Sequence, residues 1–179
     1  MEILILGILL VALMVYVSTR IKRTAAEAFE PEMIDEADFK LSKPAGLLHP
    51  LRDDSEFAFE AYSQEYGDGN LRNIRRMQAE LRIHTDAKFK TVCAEAKKEA
   101  DQILSEEKLK DAPVDQRICL IESEKTVDGI TTRDYRKIVE SLRQKKIYDL
   151  KVSVLDTHLR ENAGKAAEMI ETFTVKSEQ

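Results

Sequence analysis

The chain of 179 residues has no tryptophan, four prolines, six glycines, two cysteines and three histidines. Each scarcity excludes something. Two cysteines, Cys93 and Cys119, cannot build a disulfide framework, and both read as reduced, buried, small apolar side chains. No Asn-x-Ser/Thr acceptor occurs, so nothing marks a glycosylated surface. There is no glycine-rich phosphate loop, Gly-Lys-Ser/Thr, His-Glu-x-x-His, Gly-x-Ser-x-Gly or Cys-x-x-Cys. The common enzyme signatures are thus absent, and the sequence reads as non-enzymatic with no cofactor. Few prolines with 34% charged and 43% hydrophobic residues point to an ordered, helix-rich body.

What is present begins with an uncharged apolar run from Ile3 to Thr19, followed by Arg20, Lys22 and Arg23. Seventeen residues of helix reach roughly 25 Å, close to the hydrocarbon thickness of a bilayer. Glu2 precedes the run and the basic cluster follows it, the reverse of a cleavable signal. The expectation is therefore an uncleaved single-pass anchor flanked by Arg20, Lys22 and Arg23, with the N terminus translocated and the body cytoplasmic, or on the matrix or stroma side of an organellar membrane.

A net charge of −5 hides an asymmetry. Residues 24–68 hold twelve acidic against three basic residues, and residues 69–99 hold eight basic against four acidic. The acidic block, punctuated by Pro31, Pro44, Gly46 and Pro50, reads as a linker over 24–52 with short turns and extended pieces. Four divisions follow: an anchor over 1–23, the linker over 24–52, a helical domain over 53–174 and a frayed tail over 175–179.

Within the helical domain, Asp53 and Glu56 form a capping signature for a helix ending at Gly67. Leu71, Ile74, Gln78, Leu81, Thr85, Phe89, Val92, Ala96, Ala100 and Ile103 recur at a period near 3.6, which predicts a helix to about Lys110, roughly 60 Å long. Val114 to Glu124 reads as a short helix, and Asp128-Gly129 turns the chain. Thr131 to Asp134 caps a second long helix, kinked near Lys145 and carried on by Leu155, Leu159, Ala163, Ala166, Ile170 and Phe173. Tyr148, Leu150, Val152 and Val154 alternate with polar residues, so a short strand there is the competing reading. The expected fold is mainly α: a transmembrane helix followed by an antiparallel helical hairpin or small bundle with two long amphipathic helices.

Arg72, Arg75, Arg76 and Arg82 fall on adjacent turns of the first long helix and make a basic face for an acidic partner. Aromatic residues that would stack on bases are not interleaved there, so no nucleic acid is expected. His84, His158, His49 and the two cysteines match no metal-ligand spacing. Asp128-Gly129 sits like the middle of a calcium loop, but Tyr135 stands where the bidentate carboxylate belongs, so no metal is expected.

Residues 94–104, Ala-Glu-Ala-Lys-Lys-Glu-Ala-Asp-Gln-Ile-Leu, resemble a stretch of the peripheral-stalk b subunit of rotary ATP synthases. The resemblance implies a rod on a single membrane helix. Pro113 and Gly129 depart from that straight rod.

The functional expectation is an accessory or assembly subunit, or a scaffold, of a membrane-associated complex. Its partners would be the lipid bilayer and other subunits, with self-association left open. A second expectation is an exported, tethered domain binding a ligand or envelope component. A third is a membrane-bound enzyme with a site assembled from scattered residues such as Glu80, His84 and Asp134.

Overall fold

A computed structural model describes residues 10–11, 13–20, 26–50, 55–109 and 112–176. The described residues form a mainly β structure and not a helical bundle. Ten strands lie in two antiparallel sheets, with helices α1 (Phe89–Lys98) and α2 (Leu159–Thr172). The small sheet has the order β1-β2-β10, from Glu32–Asp35, Phe39–Lys43 and Thr174–Val175. The large sheet has the order β3-β4-β5-β9-β8-β7-β6. Its strands are Leu47–Leu48 (β3), Phe59–Ser63 (β4), Met77–His84 (β5), Gln102–Leu109 (β6), Gln116–Val127 (β7), Ile130–Ser141 (β8) and Lys146–Leu155 (β9).

The expected long helix over 71–110 gives way to β5, α1 and β6. Met77, Ala79, Leu81 and Ile83 alternate with Gln78, Glu80, Arg82 and His84, a period of two that places one apolar face on the core. The helical period held only by counting polar Gln78 and Thr85 as core positions. Helix α1 occupies ten residues of that segment. The stretch resembling the ATP synthase b subunit bends from α1 into β6, so it is not a rod.

The expected helix before Gly67 holds β4, the one at 114–124 holds β7, and the second long helix holds β8, β9 and α2. Val127 pairs with Ile130 across Asp128 (φ 53°) and Gly129 (φ 77°). Positive φ at both central residues is the two-residue hairpin turn whose twist matches that of its strands, and Asp-Gly supplies it. The alternating residues from Tyr148 to Val154 are indeed strand, paired with β5 on one side and β8 on the other. Helix is present from Leu159 to Thr172 as the restored period implied. Residues 24–52 contain β1, β2 and β3, and Thr174–Val175 pair with β2.

Among the described residues no helix is long and apolar enough to cross a membrane. The single-pass anchor, its lipid-bilayer partner and the localisation derived from it are corrected on that finding. Residues 10, 11 and 13–20 are helical. Ile3 to Leu9, Ala12, Lys22 and Arg23 lie outside the described residues, so of the expected basic flank only Arg20 is described.

One face of the large sheet carries the main core. Phe59, Ala61, Met77, Ala79, Leu81, Val139, Tyr148, Leu150, Val152 and Val154 pack there against Ala166, Met169 and Phe173 of the α2 region and Ile34, Phe39 and Leu41 of the small sheet. Buried positions 162, 166, 169 and 173 follow the helical period, which is why this segment alone matched its helical reading throughout. Lys137 Nζ donates to the carbonyls of Ile170 (2.9 Å) and Phe173 (2.7 Å), satisfying the open end of α2 with a cation.

Lys43 takes the third buried position of β2, and its side chain is 1% exposed. Its Nζ donates to the carbonyls of Ala28 (3.2 Å), Glu30 (2.6 Å) and Leu47 (2.8 Å). Burial pushes its pKa down. Three carbonyl acceptors match the three donors of an ammonium, so the lysine ties residues 28–30 to β3.

The opposite face of the large sheet carries α1. Val92, Cys93 and Ala96 pack with Phe89 onto Cys119, Ile121, Ile138 and Ile147, a second, smaller core.

Candidate functional site

Beside that second core the same face of the sheet turns polar. Strand alternation sends Glu80, Arg82 and His84 from β5, Asp149 and Lys151 from β9 and Arg136 from β8 to one side. The register sets Glu80 opposite Lys151 and Arg82 opposite Asp149. With Val92, Glu95, Ala96 and Glu99 of the α1 segment as the wall, these side chains line a cleft of about 210 Å³.

Arg136 is the hub. Its Nη2 donates to Glu99 at 2.6 Å, and its Nε lies 3.5 Å from Asp149 Oδ1 without hydrogen-bond alignment. Burial opposes the Glu99 charge, but Arg136, by charge and hydrogen bond, outweighs it and holds that carboxyl below the usual range. For Asp149 burial wins over the attraction of Arg136 and His84, and its carboxyl is pushed up. Burial likewise raises Glu80, against Lys151 and Arg82. Lys151 is held at 3.0 Å by Asp134, and the Arg82 guanidinium stacks over Phe57 at 4.8 Å.

Three buried polar atoms at this place have no hydrogen-bond partner among the described residues: His84 Nε2, and Arg136 Nε and Asp149 Oδ1, which face each other as an ion pair at 3.5 Å. A buried donor or acceptor left without a hydrogen bond costs about 1–3 kcal/mol, so His84 Nε2 and the misaligned Arg136–Asp149 pair leave this cleft with hydrogen-bonding capacity its own fold does not use.

The four arginines of the expected basic face do not share a helix: Arg82 is in β5 and Arg72, Arg75 and Arg76 precede it. Arg72 is exposed beyond the 3-10 turn Gly69–Leu71. Arg75 lies over the rings of Tyr62 (4.5 Å) and Tyr66 (4.0 Å) and donates to the carbonyls of Ser63 and Gln64. Arg76 donates to the Tyr66 carbonyl and to Glu65. These two hold the loop before β5, and of the four only Arg82 reaches the cleft. Two of the three scattered residues, Glu80 and His84, do meet there, while Asp134 stands beside them as the partner of Lys151. The reading missed Arg136, Asp149 and Lys151. Their signal was the polar half of the strand alternation in β8 and β9, set aside when those residues were placed on a helix. Among the described residues no cluster of His, Cys, Asp and Glu can hold a metal ion.

No protein-family model matches the chain, and no curated protein matches it. Solved structures do share the fold. The cyanobacterial PsbP (CyanoP) of Synechocystis superposes with a TM-score of 0.55 at 10% identity, over 83% of this chain and 94% of that one. LpqN of Mycobacterium tuberculosis, involved in cell envelope biogenesis, gives 0.53 at 13% identity over 83% and 91%. The Ran-binding protein Mog1p of Saccharomyces cerevisiae gives 0.51 at 8% identity over 82% and 96%. The chain thus has a β-rich fold of the PsbP and Mog1 kind, which overturns the single-pass helical scaffold as a description of the molecule. At these identities the likeness concerns the fold alone.

Proposed function

We propose that the chain is a non-catalytic binding domain that receives a protein partner in the charged cleft between α1 and the large sheet. The observation that carries this reading is the set of buried polar atoms without a hydrogen bond among the described residues, His84 Nε2 and the facing Arg136 Nε and Asp149 Oδ1. A cleft of about 210 Å³ is below the roughly 300–1,000 Å³ of small-molecule sites and fits one or two side chains of a docking surface. Its lining holds both signs of charge and only Val92 and Ala96 as apolar groups, which suits polar recognition. The Ran-binding name of one structural neighbour agrees with a protein partner, with no inference to Ran itself.

A photo-crosslinking amino acid at exposed Glu95, on the cleft rim, tests the reading in the full chain, with exposed Glu171 on α2 as the control position. We expect a discrete protein adduct from position 95, reduced roughly tenfold by Arg82→Ala, the weight of about 1.4 kcal/mol. No adduct from position 95, or one indifferent to Arg82→Ala, overturns it.

A further inference from the structure

The basic side chains of the cleft are already engaged, and most of its carboxylates are not. The register sets Lys151 opposite Glu80 and Arg82 opposite Asp149, yet neither cross-strand ion pair closes. Lys151 lies 3.0 Å from Asp134, and Arg82 lies 3.5 Å from Glu56 while its guanidinium stacks over Phe57. Asp134 and Glu56 stand outside the lining, so two of its three cations are neutralised from beyond it. The third, Arg136, is spent on Glu99 at 2.6 Å. Three carboxylates of the lining remain. Asp149, 8% exposed, has the misaligned Arg136 Nε at 3.5 Å and an Oδ1 without a hydrogen bond. Glu80 accepts from the neutral amide of Gln78 at 2.7 Å, and exposed Glu95 has no ion pair among the described residues.

We propose, on the partner-binding reading above, that the cleft takes up a cationic side chain of the partner, a lysine ammonium or an arginine guanidinium, between Asp149 and Glu80. The pairing of Glu80 with Lys151 and of Arg82 with Asp149 makes Glu80 and Asp149 diagonal neighbours across β5 and β9, a spacing of roughly 7–8 Å. A cation lying between them meets a carboxylate oxygen on either side. His84 Nε2, buried and without a hydrogen bond, is a further acceptor when the imidazole carries its proton on Nδ1. Glu95 stands at the rim, where an acidic group draws a cation in.

The sign of the occupant follows from what it would meet. A carboxylate entering here finds Glu80, Glu95 and Asp149, and every cation that could offset them is turned to another acid. A cation finds acceptors whose bonds to it are charge-assisted and roughly twice as strong as neutral ones. Burial raises the Asp149 and Glu80 carboxyls against the pull of the nearby bases, as expected of buried carboxylates short of positive charge. Among the described residues no His, Cys, Asp and Glu stand together closely enough to hold a metal ion, so the cation is an organic one. Arg82 belongs to the wall: its stacking on Phe57 shapes the mouth of the cleft.

The probes are the N-acetyl methylamides of arginine and lysine, with those of citrulline and glutamate as neutral and anionic controls. Each is titrated into the native full chain while the backbone amides of Glu80, His84 and Asp149 are followed by NMR. We expect saturable shifts with arginine or lysine at millimolar concentrations and none with citrulline or glutamate. Asp149→Asn and Glu80→Gln should each weaken the cation roughly tenfold, the weight of one hydrogen bond to a charged group. Shifts with glutamate, equal shifts with arginine and citrulline, no shift with either cation, or binding that the folded variants leave unchanged overturns the proposal. A protein adduct from position 95 without binding of either cation removes the cation site and leaves the partner reading standing. Cation binding without an adduct keeps the site and removes the partner.

Discussion

Lys146 Nζ donates to Asp38 Oδ2 at 2.6 Å, joining the first residue of β9 to the turn between β1 and β2. Lys176 grips the same turn from the other side, with its Nζ 2.6 Å from Asp35 Oδ1 and its backbone N–H on the Asp38 carbonyl at 2.9 Å. Two lysines far apart in sequence therefore staple the small sheet to the rest of the fold.

That staple is sensitive to acid. The Lys146 hydrogen bond holds the Asp38 carboxyl below its ordinary value of 3.8, outweighing burial. A depressed carboxyl contributes stability that is present above 3.8 and is lost as pH falls through the lowered value. Lys146→Ala should cost about 1 kcal/mol at neutral pH, the weight of a partly exposed charge-assisted bond. In urea titrations the gap between variant and parent should close as pH drops below 3.8; an unchanged gap in acid contradicts this account.

Lys43→Met should be among the most damaging single changes. Methionine fits the volume but leaves the carbonyls of Ala28, Glu30 and Leu47 without their donor. A loss of about 3 kcal/mol is expected from the midpoint of chemical unfolding, since hydrogen bonds to a charged group are worth about 1.5–3 kcal/mol. A variant as stable as the parent would mean that water replaces the ammonium.

Gly129→Ala isolates a backbone effect. Nothing lies within 4 Å of a Cβ built there, yet φ is +77°. The left-handed conformation costs an alanine roughly 1 kcal/mol, so the thermal midpoint should fall without any change in packing. Asp128→Asn, which tolerates the same region, should leave the midpoint nearly unchanged.

Asp149→Asn reads the electrostatics of the cleft. Burial raises the Asp149 carboxyl, so the folded chain binds a proton more readily than the unfolded chain does. That contribution is full below the ordinary value of 3.8 and is lost as pH rises through the raised value. The parent should therefore lose stability relative to Asp149→Asn over that interval, measured by urea unfolding at a series of pH values. Parallel curves would show that Arg136 keeps Asp149 charged throughout.

The sequence disclosed the turns better than the elements between them. Pro31, Pro44 and Gly46 broke the first region into the short extended pieces that became β1 to β3. Asp128-Gly129 marked a reversal, though its reading as a helix boundary hid the strongest hairpin signal in the chain. The strand at 146–155 showed its period because Tyr148, Leu150, Val152 and Val154 are all apolar. In β8 the period was masked: Asp134 and Arg136 on one face and Lys137 on the other interrupt both apolar rows, since one face lines the cleft and Lys137 caps α2. In β7 one face is buried and the other half-buried, so Ile118, Cys119, Leu120 and Ile121 run together as apolar residues that fit helix and strand alike. The cleft residues come from three strands and one helix segment, and only the pairing of β5 with β9 makes neighbours of Arg82 and Asp149. No local pattern carries that information.

The β5–β9 pairing also sets a timetable. Met77 pairs with Val154 and His84 with Ile147, so the centre of the large sheet joins segments separated by all of α1, β6, β7 and β8. During synthesis β4 and β5 leave the ribosome long before β9 exists, while β7, β8 and β9 follow one another through short turns and can zip as they emerge. Until then β5 presents an open edge with its apolar row uncovered, which is when the nascent chain is most exposed to wrong pairing. The last strand of the large sheet to be made closes its middle.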